Sequence, residues 1–274
     1  MTIERDQLLA IGQAERVALG RTIQYTAPDA WDKPSRVDGW SLKDVVSHLA
    51  ASEGVAAAAF GNEPAPEVEE FMKEGPHLTI DNFDEFTVRR RAEHSLRDVV
   101  VEWGRHADTT LARVGSIPAE EWASMRVAWL AGENPARSLL QSRVSEWWVH
   151  GEDIRAGADL PPRAEHWPVY CTNDLAVRTL PWALGLAGLR IEGRTIRFVL
   201  EGSGGGEWLQ GLAAHQTVDQ RRPPDALVEG RGTAFPQVAA RRTPAEDFVD
   251  DGTLVLSGDD ELAVTVLRNI RAFA

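Results

Sequence analysis

The spacing of apolar residues changes once along the chain, and this change constrains the fold more than any other feature of the sequence. Over residues 1–190, apolar side chains recur every three or four positions, as on the buried face of an amphipathic helix. From Thr195 to Leu200 they alternate with other side chains, as in a half-buried strand. The sequence therefore predicts a helical domain over residues 1–190 and a smaller α/β domain over residues 191–274.

Four long helices are expected in the first domain, and together they indicate a four-helix bundle. One helix opens at Ser41, where Asp44 three positions later completes a capping box. Another opens at Asn134 and Pro135, which suit an N-cap and the first helical position. The four helices cover about residues 5–19, 41–60, 84–114 and 134–157, and a further helical stretch over residues 166–189 is kinked at Pro181.

A segment rich in proline and glutamate follows Phe60 and runs to about Leu78. It predicts a loop that is long for a compact domain, and such loops often form lids or substrate borders. A solvated connector explains the same composition. The sequence leaves both interpretations open.

The C-terminal domain is expected to contain short strands, tight turns and two helices. A glycine-rich run over residues 202–206 lacks the Gly-Lys-Ser/Thr ending of a phosphate-binding loop, so it predicts a hairpin turn. The predicted strands cover residues 195–200, 207–209, 226–228 and 253–256, and the predicted helices cover residues 233–240 and 260–273.

The charge balance excludes one class of partner. Asp and Glu outnumber Lys and Arg by 42 to 29, a formal net charge of -13, whereas a nucleic-acid-binding protein needs a basic surface. No run approaches 18 apolar residues, and the first ten residues lack the apolar core of a signal peptide. With one cysteine, Cys171, no internal disulfide can form. We expect a soluble, cytoplasmic protein without a nucleic-acid or membrane partner.

Candidate chemistry centres on histidine and glutamate residues of the predicted helices. Glu146 and His150 are four positions apart, so their side chains project from the same side of one helix. His48 lies on or near the apolar stripe of another helix, and facing helices in a bundle are about 8–10 Å apart. Two imidazole nitrogens and one carboxylate oxygen suit Zn²⁺ and leave a fourth position open. An exposed contact between Glu146 and His150 is the alternative interpretation.

Three separate segments resemble the mycothiol-dependent maleylpyruvate isomerase family, which belongs to the DinB-like metal-binding four-helix bundles. They occur in the order expected for that family and span most of the chain. The segments are WDKPS at 31–35 with GWSLKDVVSHL at 39–49, SEWWVHGEDIR at 145–155, and a C-terminal stretch from residue 230 through RRTP at 241–244 to SGD at 257–259. The C-terminal stretch is similar to the family's sterol-carrier-like α/β domain.

The resemblance implies a metal site, a thiol cofactor and an active-site arginine. The implied metal ligands are His48, Glu146 and His150, and the implied ion is zinc or another divalent metal. Mycothiol is the implied cofactor. The family's arginine corresponds to Arg242, in a catalytic and cofactor-binding role, whereas Arg241 replaces the glycine that precedes the arginine in the family's motif.

The resemblance also implies a reaction. In that reaction a thiolate adds to the cis double bond of a conjugated diketo acid, the former double bond rotates, and elimination releases the trans isomer. Zinc suits such chemistry because it deprotonates a coordinated thiol and undergoes no redox change. We therefore expect an isomerase of this kind, acting with mycothiol on a small electrophilic molecule. The alternatives are a mycothiol S-transferase, a metal-dependent hydrolase and a non-catalytic metal-binding protein.

Three further residues have a functional and a structural interpretation. Asp153 is placed to hold the second ring nitrogen of His150, or to form a salt bridge with an arginine. Cys171 follows an apolar stretch and fits a buried structural cysteine better than a nucleophile. Glu152 is a poor general base for a hydrolase, because two positions along a helix it faces away from His150.

Overall fold

The computed structural model describes residues 3–74, 79–130 and 132–272. The chain forms two compact units, Met1–Arg163 and Ala164–Ala274. The first is mainly helical, with one two-stranded hairpin, and the second contains a four-stranded sheet, which confirms the fold class predicted from the sequence. Among the described residues, none of the helices has both the length and the apolar character needed to cross a membrane.

The first unit is built around four long helices, as predicted. These helices, α1, α2, α5 and α7, pack against one another, with α2 against α5 and α7, and α1 against α5 and α7. In chain order the elements are α1 (Arg5–Tyr25), α2 (Leu42–Gly61), α3 (Pro66–Phe71), α4 (Ile80–Arg90), α5 (Leu96–Ser116), α6 (Ala119–Trp122), β1 (Arg126–Trp129), β2 (Gly132–Pro135) and α7 (Ala136–Gly157).

Helix α2 begins as the sequence predicts and lies directly against α7. The Asp44 backbone N–H donates to Ser41 Oγ, and the Ser41 N–H donates to Asp44 Oδ2, which completes the capping box. At the far end of α7, a Cβ atom on Gly157 would lie 2.6 Å from Leu42 Cδ2. The absence of a side chain at this glycine lets the end of α7 approach the start of α2.

The single helix predicted over residues 84–114 is wrong, because the structure divides it into α4 and α5. Ser95 Oγ accepts the backbone N–H of Asp98 and so starts a new helix inside the predicted one. Helix α4 begins earlier than predicted, with Thr79 Oγ1 accepting the backbone N–H of Asn82. The turn over residues 91–95 gives α4 a course of its own beside α2.

Two further parts of the first unit differ from the sequence prediction. The segment predicted as one long loop after Phe60 contains α3, and residues 75–78 of it lie outside the described part of the chain. Asn134 is not an N-cap: it pairs with Val127 in the β1–β2 hairpin, and α7 begins after Pro135. Residues 134 and 135 are paired with Val127 and Arg126, and the backbone N–H of Ala136, the first residue of α7, donates to the Met125 carbonyl beside this pair.

The second unit contains a four-stranded sheet in the order β4-β3-β5-β6, with β3 parallel to β5 and the other neighbours antiparallel. The β3–β4 hairpin confirms the turn predicted for the glycine-rich run. In chain order the elements are α8 (His166–Arg178), α9 (Leu180–Leu186), β3 (Thr195–Glu201), β4 (Gly206–Gly211), β5 (Ala226–Arg231), α10 (Phe235–Ala239), α11 (Ala245–Asp250), β6 (Leu254–Gly258) and α12 (Asp260–Asn269).

Helix α8 belongs with the sheet, so the structure divides the chain after Arg163, whereas the sequence placed the boundary near residue 190. Buried polar contacts are the physical reason. The Asn173 side-chain amide donates to the carbonyl oxygens of Gly204 and Gly232, and Trp208 Nε1 donates to Asp174 Oδ1 at 2.9 Å. Helical periodicity assigns α8 to the helical part of the chain but cannot tell which unit it packs against.

Candidate metal centre

Two of the candidate ligands lie on α7, which is buried on most of its surface. Glu146 and His150 are one turn apart, and His150 Nε2 lies 3.6 Å from Glu146 Oε2. Both residues are buried, at 6% and 4% exposure, so an exposed surface pair is not the explanation of their spacing. Ionisable groups are rarely buried without partners, so the groups that contact Glu146 and His150 indicate what this pair can bind.

The third candidate ligand, His48, reaches the same point from α2. His48 Nε2 lies 3.0 Å from Glu146 Oε2, and the His48 and His150 ring centroids are 5.0 Å apart. One ligand atom from each of the three residues lies within 4.8 Å of the other two. The structure thus brings the three residues predicted as metal ligands together in the first unit.

Each histidine presents its second ring nitrogen to a carboxylate. His150 Nδ1 forms a 3.0 Å hydrogen bond with Asp153 Oδ2, and Arg36 Nε donates to Asp153 Oδ1 at 3.1 Å. His48 Nδ1 lies 3.1 Å from Asp84 Oδ1, an ion-pair distance without the alignment of a hydrogen bond. Asp153 therefore holds the second ring nitrogen of His150 and also forms an ion pair with an arginine, so both of its predicted contacts are present. Asp84 was not predicted from the sequence.

The second oxygen of Glu146 is held by a buried arginine that the sequence analysis also missed. Arg143 Nη2 donates to Glu146 Oε1 at 3.2 Å, and the guanidinium lies 4.8 Å from the centre of the Trp129 ring. The three-residue spacing of Arg143 and Glu146 on one helix was an available signal. Because Arg143 occupies Oε1, the other oxygen, Oε2, is the one that faces the two histidines.

The protonation equilibria of the three residues are strongly shifted. Burial raises the pKa of Glu146, but the charge of Arg143 and the contact with His48 outweigh this and hold the pKa well below its usual value. Burial lowers the pKa of His48, yet Asp84 and Glu146 raise it to about 10. Burial and the neighbouring charge of His48 lower the pKa of His150.

This donor set fits a divalent transition metal. Two imidazole nitrogens and one carboxylate oxygen converge, and their other polar atoms are held by Asp153, Asp84 and Arg143. Zinc sites of this composition keep a fourth position open, and their histidines are typically oriented by carboxylates. The three residues can therefore hold a divalent metal ion through three protein ligands.

The remaining residues singled out in the sequence have these places. Arg242 belongs to the second unit, after α10, where its Nη1 donates to Ala240 O. The residue before it, Arg241, has φ 59°, a left-handed conformation that favours glycine.

The other two residues have structural surroundings. Cys171 is fully buried. The Glu152 carboxylate accepts the backbone N–H of Arg163.

The two tryptophans beside the ligands are part of the core. Trp147 and Trp148 are almost fully buried. Trp147 Nε1 donates to Glu53 Oε2 at 2.8 Å, and this contact joins α7 to α2. Burial raises the pKa of Glu53, so the contact between α2 and α7 contains a buried acid in addition to Glu146.

A comparison with family models matches residues 13–155 to the mycothiol maleylpyruvate isomerase N-terminal domain. The matched stretch covers more than half of the chain and contains His48, Glu146 and His150. Two uncharacterized proteins from two strains of Mycobacterium tuberculosis are each 24% identical over 205 residues, which is 73% of this chain and 74% of theirs.

Solved structures share the fold. The crystal structure of the mycothiol-dependent maleylpyruvate isomerase matches with a TM-score of 0.63 and 15% identity, over 94% of this chain and 96% of that one. A mutant of the mycothiol-dependent maleylpyruvate isomerase matches over the same shares, with a TM-score of 0.62 and 14% identity. At this level of identity, the likeness shows that this chain and the solved structures share a fold.

Proposed function

Because the chain belongs to the mycothiol maleylpyruvate isomerase family, we propose that it is a metal- and mycothiol-dependent enzyme that isomerises a small electrophilic substrate. The observation that carries the proposal is the convergence of His48 Nε2, His150 Nε2 and Glu146 Oε2 inside a buried, charge-paired site. The pKa values of all three residues are shifted by burial and by neighbouring charges, and groups of this kind concentrate at functional sites.

The residues of the chain would prepare the site in distinct ways. The Arg143 guanidinium holds Glu146 Oε1 and favours the ionised carboxylate, so that Oε2, which faces the two histidines, can serve as the ligand atom. Asp153 accepts from His150 Nδ1 and leaves Nε2 as the coordinating atom. When bound, zinc would supply a Lewis acid that lowers the pKa of a coordinated thiol.

Arg242 is the proposed partner for the negative charge that develops on the substrate. The left-handed conformation of Arg241 supports the register of this assignment, since the family's motif has glycine at that place. A guanidinium also pairs well with a substrate carboxylate, because its planar N–H groups match two oxygens.

The hydrolase alternative lacks a suitable base at Glu152. Its carboxylate accepts from the Arg163 backbone and lies 3.9 Å from Arg155 Nε, on the side of α7 away from His150. S-transfer would use the same groups as isomerisation, so product analysis separates the two. A product that retains the thiol identifies transfer, and a product with the composition of the substrate identifies isomerisation.

The test compares bound metal and activity in the wild type and His150→Ala. We expect about one zinc per wild-type chain by elemental analysis. The variant should lose that zinc, because its two remaining protein ligands are too few to hold the ion. With zinc and mycothiol present, the wild type should isomerise maleylpyruvate or a related cis-diketo acid, and His150→Ala should not.

A matched control is His94→Ala, which removes an exposed histidine outside the ligand group and should keep both metal and activity. A wild-type protein that stays metal-free after incubation with zinc would overturn the proposal. Metal binding without any mycothiol-dependent activity would leave a metal-binding protein and contradict the enzymatic part.

A further inference from the structure

We infer that Asp84 is a positioning residue of the metal centre, which holds His48 by its Nδ1 atom so that Nε2 faces the ion. This inference rests on the metal site proposed above. His48 Nδ1 is buried and lies 3.1 Å from Asp84 Oδ1. Metal-binding histidines commonly donate their second ring nitrogen to a carboxylate, which orients the ring and increases its basicity as a ligand.

The opposite histidine supplies an internal precedent. His150 already donates Nδ1–H to Asp153, and its Nε2 points to Glu146 Oε2. His48 has a similar placement through a different element: Nε2 faces Glu146, and Nδ1 lies at ion-pair distance from Asp84, where a small rotation of the ring would align a hydrogen bond. Both ligand rings thus lie between Glu146 on one side and a separate carboxylate on the other.

The position of Asp84 is fixed by the packing of α4 against α2. Phe83 and Phe86, on either side of Asp84 in the sequence, are buried in a cluster with Phe71 and with Val55 of α2. The Phe71 ring centroid lies 5.4 Å from each of the Phe83 and Phe86 centroids. These contacts place the Asp84 side of α4 against the helix that carries His48.

Three polar contacts, made by Glu85 and Arg91, hold the remainder of α4. Trp40 Nε1 donates to Glu85 Oε1 at 2.8 Å, and the Trp40 ring lies 5.3 Å from the His48 ring. At the end of the helix, buried Arg91 donates to Glu102 of α5 at 2.6 Å and lies 2.6 Å from Glu67 of α3. An element held near its middle and at its C-terminal end can keep a carboxylate beside His48 in one place.

The experiment measures zinc affinity by competition with a chelator in the full-length wild type, Asp84→Ala and Asp84→Asn. We expect Asp84→Ala to bind zinc about 10-fold or more weakly. The Asn variant keeps an acceptor oxygen but loses the charge, and should fall between the other two. Asp81→Ala is the matched control, because Asp81 is exposed one turn earlier on the same helix and should leave the affinity unchanged.

A spectroscopic readout separates positioning from a general loss of structure. Proteins loaded with Co²⁺ should differ in their visible absorption between wild type and Asp84→Ala, because the ring of one ligand is no longer held. Circular dichroism checks that each variant retains its helices. Unchanged zinc affinity in a folded Asp84→Ala variant would overturn the inference alone, whereas a wild type that binds no zinc would overturn the proposed function as well.

Discussion

The two histidines of the metal centre are supported in different ways. His150 and its carboxylate partner Asp153 lie three positions apart on α7, and Asp153 is fully buried and fixed by Arg36. His48 lies on α2, whereas its partner Asp84 lies on the separate helix α4 and remains partly accessible. One histidine is therefore supported within its own helix, and the other depends on how a neighbouring helix packs.

This difference indicates where the site can change shape. Loss of local packing at α4 would release the support of His48 and leave the Glu146–His150 side intact, because α7 is covered on most of its surface. Helices α3 and α4 pack in a small apolar cluster with Val55 of α2, and elements with few buried apolar contacts open more readily than the main core. We therefore expect the His48 side to be the more adjustable half of the centre.

The largest expected effect comes from Phe83→Ala. Phe83 is almost fully buried in the α3–α4 cluster, and truncation of a buried Phe costs about 3–5 kcal/mol. We expect amide hydrogen exchange in α4 to accelerate and zinc affinity to fall, with protection in α7 retained. If Phe83 acts through Asp84, the two affinity losses in the double variant Phe83→Ala/Asp84→Ala will not add. Equal loss of protection in α4 and α7 would contradict the comparison.

Asp153→Ala is expected to have a smaller effect on folding, of about 1–3 kcal/mol. The change leaves His150 Nδ1–H and Arg36 without their shared buried acceptor. Urea denaturation of the metal-free proteins measures the loss, and zinc competition measures the affinity. Arg36→Met is the informative companion, because it removes the cation but keeps the contact between Asp153 and His150. A variant Asp153→Ala as stable as wild type would show that the α7 side is not the rigid half.

The smallest effect concerns Glu53, which joins α2 to α7 through Trp147. Burial raises its folded-state pKa above the usual value of 4.5, so the folded protein binds the proton more tightly than the unfolded chain. Its contribution to stability is complete below pH 4.5 and declines as the pH rises through the raised pKa. Glu53→Gln keeps an acceptor for Trp147 and should remove this decline.

Urea titrations at several pH values test the Glu53 prediction. The free energy of unfolding of Glu53→Gln, relative to the wild type, should increase with pH, and Glu120→Gln at an exposed position should show no such trend. A constant difference between Glu53→Gln and the wild type across the range would contradict the pKa shift. Both proteins are compared at the same metal loading.

Local sequence signals were sufficient to predict much of the fold and the Glu146–His150 half of the candidate metal site. The change of apolar period separated the mainly helical part of the chain from the four-stranded sheet but missed the β1–β2 hairpin, and the Ser41 capping box located the start of α2. The four-residue spacing predicted that Glu146 and His150 share a helix face. Each of these features depends on residues within a few positions of one another, where the geometry of the chain fixes the distance.

The sequence by itself determined which residue types were available, which helices carried them and which family they resemble. Only the tertiary structure decided that α8 joins the sheet, that a turn separates α4 from α5, and that Asp84 lies beside His48. The reason is physical. Helix periodicity follows from local backbone geometry, whereas contacts between distant segments depend on how buried surfaces fit together, and that fit is not expressed in the spacing of any one segment.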